Sequence, residues 1–422
     1  MSVIDDLLDP IPIPRVIKIS QQFENPEVED IRSAVTDGFT STRVLEGLES
    51  GSAVAITAGS RGITELPEVL GAVVALIREH RCDPFIVPAM GSHGGATADG
   101  QVALLEHMGI SEKTVGAPIR SSMETVRLGE TKSGVPVFMD AAAARAEAII
   151  LVNRIKPHVG FRGRYESGLM KMIAIGLGKQ RGADACHDLG FGCMARNIEE
   201  IGLAAIGAAP ILCGVGILEN AYHRTASIEV LPASEIPKRE PALQERAKEL
   251  SPRLYFNNLD VLIIDEIGKN ISGTGFDNNV VGRFHTPYAS GGPDITRIAA
   301  LDVTEQSNGN ANGLGILDFT TRRAYEKFDF EQTYPNSLTS TVPTSVKIPM
   351  VLANDRQAVQ AAIKTCNIPD KSRVRFARIR NTLSLDLIEV SSNLTPEVTA
   401  HPSMRTESEP YELSFDEHGN LF

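Results

Sequence analysis

The sequence predicts an α/β protein of two domains, each a mostly parallel sheet flanked by helices. Three observations carry that expectation. Short apolar, β-branched runs alternate with helix-period segments through most of the chain. Several of those runs end in a glycine-rich or polar loop, the place where parallel sheets carry their chemistry. The length, 422 residues, exceeds what a single core usually organises.

Taken in order, residues 53–57 (AVAIT) read as a strand and 66–79 as an amphipathic helix. The next pair is a strand at 84–88 (PFIVP) and a helix at 98–108. Residues 148–152 (AIILV) form a strand, 196–206 a helix and 211–217 (ILCGVGI) another strand. A charged, helix-prone stretch at 235–250 precedes the very apolar 259–264 (LDVLII), so a boundary is placed near residue 255. The domains expected are therefore 1–255 and 256–422. The second contains strands at 297–303, 347–352, 373–378 and 383–390, then a polar tail after Ser391.

Composition removes several classes of function. The net charge is −12 and there are 15 Phe, 7 Tyr and no Trp. Nucleic-acid binders need clustered cations and exposed stacking rings, so no nucleic-acid partner is expected. No apolar run reaches membrane-spanning length, and the first residues show neither a basic nor an apolar leader segment. The five cysteines (Cys82, Cys186, Cys193, Cys213 and Cys366) contain no CxxC pair, which fits a reduced cytoplasm without disulfides or structural zinc. A cytoplasmic protein without a membrane partner is expected.

Four loops after apolar strands collect polar residues. In 58–62 (AGSRG), Gly59 and Ser60 let backbone N–H groups approach an anion and Arg61 adds a positive fork; a plain strand-to-helix turn is the alternative. In 90–97 (MGSHGGAT), three glycines around His93 leave its ring little steric cover, which favours a catalytic or ligand role over core packing. The segment 153–168 gathers Arg154, Lys156, His158, Arg162 and Arg164 within an acidic chain, a local sign inversion that suits an anionic ligand. The fourth, 169–179, sets Lys171 in an apolar run, where a lysine either snorkels or is desolvated and nucleophilic. His187 follows, either a metal ligand oriented by Asp188 or a helix-surface histidine.

GSHGGAT, NRIKPH (153–158), ESGLMKMIAIGLGK (166–179) and the later Cys186-His187 pair resemble the nickel-pincer lactate racemase family over most of the chain. The resemblance implies two α/β domains around a cleft and a nickel-pincer nucleotide, a pyridinium-3,5-bisthiocarboxylic acid mononucleotide holding nickel. On that likeness Lys171 is the covalent tether and His187 the nickel ligand, sixteen residues on. His93 and His158 become the two acid/base histidines, and Arg61, Ser60 and Arg154 contacts to the cofactor. Lys269, in the glycine-rich 265–277 segment, becomes a carboxylate contact from the second domain, joined by Arg162 and Arg164 as substrate contacts.

The implied activity is a racemase or epimerase of a 2-hydroxy acid by hydride transfer, with accessory enzymes building the cofactor. Two bases suit it, because each enantiomer presents its hydroxyl to a different side. Family members acting on lactate wall the methyl group with aromatics including a tryptophan, and this chain has none. Arg162, Arg164 and Tyr165 instead suggest a more polar substrate, such as a dicarboxylate or sugar acid. The alternatives are a cofactor-less small-anion or nucleotide-binding homologue, and a plain metal-dependent hydrolase using His93, His158 and His187. The second lacks an Asp/Glu-rich ligand motif.

Overall fold

A computed structural model of the chain describes residues 2–60 and 62–422. The chain forms two compact units: Glu24–Ser251, and residues 2–23 together with Pro252–Phe422. Where the sequence suggests one boundary near residue 255, the chain passes between units at 23/24 and again at 251/252. The reason is a strand pairing with no local signature. Val16–Gln21 lies antiparallel between Leu387–Ser391 and Met404–Thr406, which buries Val16, Ile17 and Ile19.

In the unit Glu24–Ser251 a five-stranded sheet runs in the order Asp83–Pro88, Ala53–Ala58, Ala148–Arg154, Ile211–Glu219, Thr225–Pro232. The first four are parallel and the last pairs antiparallel with Ile211–Glu219. A parallel strand covered on both faces must be apolar along its length rather than alternating. Ala53–Ala58 and Ala148–Arg154 show this, with Val54, Ala55, Ile56, Ile149, Ile150, Leu151 and Val152 all fully buried. Helix Leu66–Glu79 turns Leu66, Val69, Leu70, Val73 and Ile77 onto one face, the spacing of an amphipathic helix. Helix Ile31–Thr42, capped by the Asp30 carboxylate, adds Val35 and Phe39 to the same core.

Helix Phe191–Ala208 is longer than the 196–206 expected from pattern, and Ile236–Leu250 matches the charged stretch before the boundary. A hairpin, Thr125–Glu130 with Pro136–Asp140, had no sequence forecast; its first strand is half-exposed and carries little apolar signal.

The other unit is built on an eight-stranded sheet. Its order is Met350–Leu352, Phe319–Thr321, Asp294–Val303, Asn258–Ile267, Phe376–Ile379, Leu387–Ser391, Val16–Gln21, Met404–Thr406. The first five are mutually parallel and the last three antiparallel. No helix among the described residues is long and apolar enough to cross a membrane. All five cysteines are free thiols.

Candidate active site

Parallel strands deliver their following loops to one edge of the sheet, and three neighbouring strands do so here. Ala53–Ala58 leads to Gly59 and Ser60, Asp83–Pro88 leads to His93, and Ala148–Arg154 leads to His158. The Ala89 N–H donates to the Ala58 carbonyl at 2.8 Å, keeping the first two loops side by side. Ser60 Oγ and His93 Nδ1 are hydrogen-bonded. Arg61, expected beside them, lies outside the described residues. Gly94 has a left-handed φ of +66°, and a Cβ there would meet the Gly100 backbone at 2.6 Å. Only glycine lets this loop lie so close on helix Ala98–His107.

The segment bearing Lys171 docks against these strand ends. A single helical turn, Leu169–Lys171, passes into a π-helical turn, Met172–Gly176, then into helix Lys179–His187. π-turns are rare and occur often at functional sites. The Gly91 N–H donates to the Gly176 carbonyl at 3.1 Å. A Cβ on Gly59 would touch the Met172 methyl at 3.4 Å and Asn153 Oδ1 at 3.6 Å.

At the far end of the segment, His187 Nδ1 donates to the Ala183 carbonyl at 2.7 Å. That bond fixes the tautomer and leaves the Nε2 lone pair as the available ligand atom. The orienting acceptor is thus a backbone carbonyl one turn back, not the Asp188 carboxylate. Burial lowers the His187 pKa and the Lys171 charge pushes it the same way, so these two side chains lie within electrostatic reach. Cys186 is also near Lys171, but burial raises its thiol to about 12, which keeps it protonated and inert.

His158 joins the same neighbourhood through an aromatic bridge. Its ring lies 4.4 Å from the Phe161 ring and 6.2 Å from that of Phe191, while His187 meets Phe191 edge-on at 6.1 Å. The His158 N–H donates to Glu166 Oε2 at 2.8 Å, and the Gly160 N–H donates to His158 Nδ1 at 3.0 Å. A neutral His158 ring in this arrangement carries its proton on Nε2. Sequence pattern signalled neither Phe191 nor Glu166. An aromatic at a helix start and a carboxylate in a basic loop are ordinary until the fold closes the loop.

The cations of this loop are engaged locally. Arg154 pairs with Glu219, whose other oxygen accepts the Thr64 N–H at 3.2 Å. Arg162 Nη1 donates to the His158 carbonyl at 2.6 Å and to Glu166 at 3.3 Å. Arg164 is exposed, pairs with Glu199 at 3.2 Å and donates to the Pro237 carbonyl. Tyr165 is buried, and its hydroxyl donates to that carbonyl at 2.6 Å. Lys269 belongs to the other unit, where its ammonium donates to the Gly273 carbonyl and to Asn336 Oδ1, both at 2.8 Å.

Among the described residues no three His, Cys, Asp or Glu side chains cluster as a metal-ligand set. The donor set fits a metal that takes one imidazole from the protein and its remaining donors from an organic group. His187 would supply that imidazole, with the Lys171 amine within electrostatic reach.

Residues 12–198 match the lactate racemase N-terminal domain family. No curated protein matches the chain significantly. Among solved structures it is similar to the lactate racemase apoprotein from Thermoanaerobacterium thermosaccharolyticum, with a TM-score of 0.53 and 12% identity over 88% of this chain and 99% of that one. At that identity the likeness speaks for the fold. Residues 12–198 are accordingly similar to a lactate racemase N-terminal domain, and the chain shares the fold of that apoprotein.

Proposed function

We propose that the protein is a racemase or epimerase of a 2-hydroxy acid that works with a nickel-pincer nucleotide tethered to Lys171, with His187 as the protein's nickel ligand. The observation that carries this reading is a Lys171 within electrostatic reach of a His187 whose Nδ1 proton is committed to Ala183, on a segment that docks against the strand-end loop of His93. When bound, such a cofactor takes up and returns a hydride at the substrate C2. The chain's own residues handle the protons and the geometry.

His93 has its Nδ1 against the Ser60 hydroxyl, which donates or accepts, so the ring can hold either tautomer. With its proton on Nδ1, His93 takes the substrate hydroxyl proton at Nε2. His158 presents Nε2–H while Gly160 occupies its Nδ1, so in this state it holds the substrate by a hydrogen bond. It delivers that proton as an acid only as the imidazolium, once the Gly160 contact opens and Nδ1 takes a proton. It becomes a base when the Gly160 contact opens and the proton moves to Nδ1. The two histidines thus serve opposite hydroxyl orientations from different resting states.

The Arg162 guanidinium on the His158 carbonyl and the absence of Trp from the chain favour a substrate with a second polar group, a dicarboxylate or sugar acid. Five free thiols suit a reducing, cytoplasmic compartment, and accessory enzymes that build the cofactor are the partners required.

The test uses protein co-expressed with those enzymes and a panel of single-enantiomer 2-hydroxy acids in deuterium oxide. Loss of optical rotation, fastest for dicarboxylates or sugar acids, is expected. Preparations with nickel and a modified Lys171 that racemise none of the panel would overturn the reading.

A further inference from the structure

Behind the His93 loop lies a polar group sealed from water that none of the roles above uses. Lys179, Asp140 and Gln101 are each fully buried. The Lys179 ammonium donates to the Pro88 carbonyl at 2.5 Å and to Gln101 Oε1 at 3.0 Å, and stands 3.3 Å from Asp140 Oδ2. Two of the ammonium's three donors go to Pro88 and Gln101, while the Asp140 carboxylate faces it at ion-pair distance. The other Asp140 oxygen caps the short helix Ala141–Ala144, accepting the N–H groups of Ala142 and Ala143 at 2.8 and 2.9 Å. The Gln101 amide nitrogen donates forward to the Gly91 carbonyl at 3.0 Å and the His93 carbonyl at 3.3 Å.

Two features make this more than core packing. Lys179 sits at a left-handed φ of +54°, which a non-glycine residue adopts only when its surroundings enforce it. A buried ion pair gains little stability over apolar residues of the same volume, because desolvation offsets the attraction. What the polar version adds is direction. It ties the start of the helix that ends in His187 to the carbonyls of the loop that carries His93.

We propose that Lys179 and Gln101 are positioning residues for His93. Lys179 orients the Gln101 amide, whose two N–H groups hold the Gly91 and His93 carbonyls and so set the imidazole relative to the segment bearing Lys171 and His187. The inference rests on the reading of His93 as an acid–base group. Neither residue touches substrate.

The test is Gln101→Glu, which keeps size and an acceptor for Lys179 but removes both amide donors, with Gln101→Met as a second variant. Histidine-labelled full-length protein is followed by NMR of the ring Cε1–H signals, His93 being assigned through His93→Asn. In either variant the His93 signal should shift or broaden while those of His158 and His187 stay in place. In the loaded enzyme kcat should fall about tenfold or more with KM changed less than twofold. A folded Gln101→Glu protein with an unmoved His93 signal and unchanged kcat would overturn the proposal. If His93→Asn keeps full turnover while Gln101→Glu still moves the His93 ring, the positioning stands and the acid–base reading fails.

Discussion

The His93 and His158 loops solve the same problem with charge placed in opposite ways. Each holds an imidazole at the end of a parallel strand, and each is backed by a helix glutamine and a carboxylate. Behind His93 the cation itself is sealed: Lys179 and Asp140 are both 0% exposed. Behind His158 the sealed charge is Glu166, 1% exposed, which accepts the Gln244 amide at 3.2 Å. The cations that pair with Glu166 reach solvent, Lys248 being 32% exposed and Arg162 27%. The difference teaches which loop can move. Solvent competes with the Lys248 and Arg162 pairs and screens them, whereas nothing competes for Lys179. The loop built to stay still carries the histidine with the exchangeable tautomer, and the more yielding loop carries the one whose backbone contact must open.

The largest expected effect is on the chemistry. His93→Asn and His158→Asn should each lower racemisation by about 10²–10⁴-fold, measured as kcat in both directions. Near-full activity in either variant would remove that histidine from the pair.

Next comes stability. Lys179→Met leaves the Asp140 carboxylate buried without its cation, so urea unfolding should show a loss of about 3–5 kcal/mol. Lys248→Met removes a partly solvated pair and should cost under about 1 kcal/mol. Equal losses would erase the contrast between the loops.

The helix that supports the His158 loop also carries a pH signature. Glu240 is fully buried beside Gly168, and one of its oxygens accepts the Met170 N–H at 2.9 Å. Burial pushes its pKa up from 4.5 to about 7. Between those values the folded protein holds a proton that the unfolded chain has released, so stability falls as pH rises and levels off above 7. Raising the pH from 5 to 8 should cost the wild type about 3 kcal/mol more than it costs Glu240→Gln, read from unfolding at both pH values.

The smallest effect is at the rim. Arg164→Ala breaks an exposed pair and should change stability by less than about 1 kcal/mol. A raised KM in that variant would make Arg164 a substrate contact, and an unchanged KM would leave it a surface tie between Glu199 and Pro237.

Much of the site's framework is readable without coordinates, because parallel strands and their loops are local in sequence. Helix Leu66–Glu79 spans the residues its periodicity marks, and the strand before His93 only begins one residue earlier than expected. The GSHGGAT loop, Lys171 and His187 stand out because glycines or an isolated charge break an apolar run. Other parts are invisible for physical reasons. Val16–Gln21 finds its partners near the far end of the chain, and such pairing is decided only when the sheet assembles. Lys179 closes the same apolar run as Lys171, yet one is sealed and the other half-buried. That outcome depends on Asp140 and Gln101, which approach from elsewhere in the chain. Phe191 gains meaning only as the ring between His158 and His187.

The central claim is that Lys171 and His187 together hold a nickel-bearing organic cofactor. Its most direct test is peptide-resolved mass spectrometry with metal analysis of wild type, Lys171→Ala and His187→Ala, each co-expressed with the cofactor-building enzymes. The wild type should show added mass on the Lys171 peptide and about one nickel per chain. Lys171→Ala should lose the adduct, and His187→Ala should keep the adduct while losing most of the nickel. A wild-type protein with neither adduct nor nickel under those conditions would contradict the account.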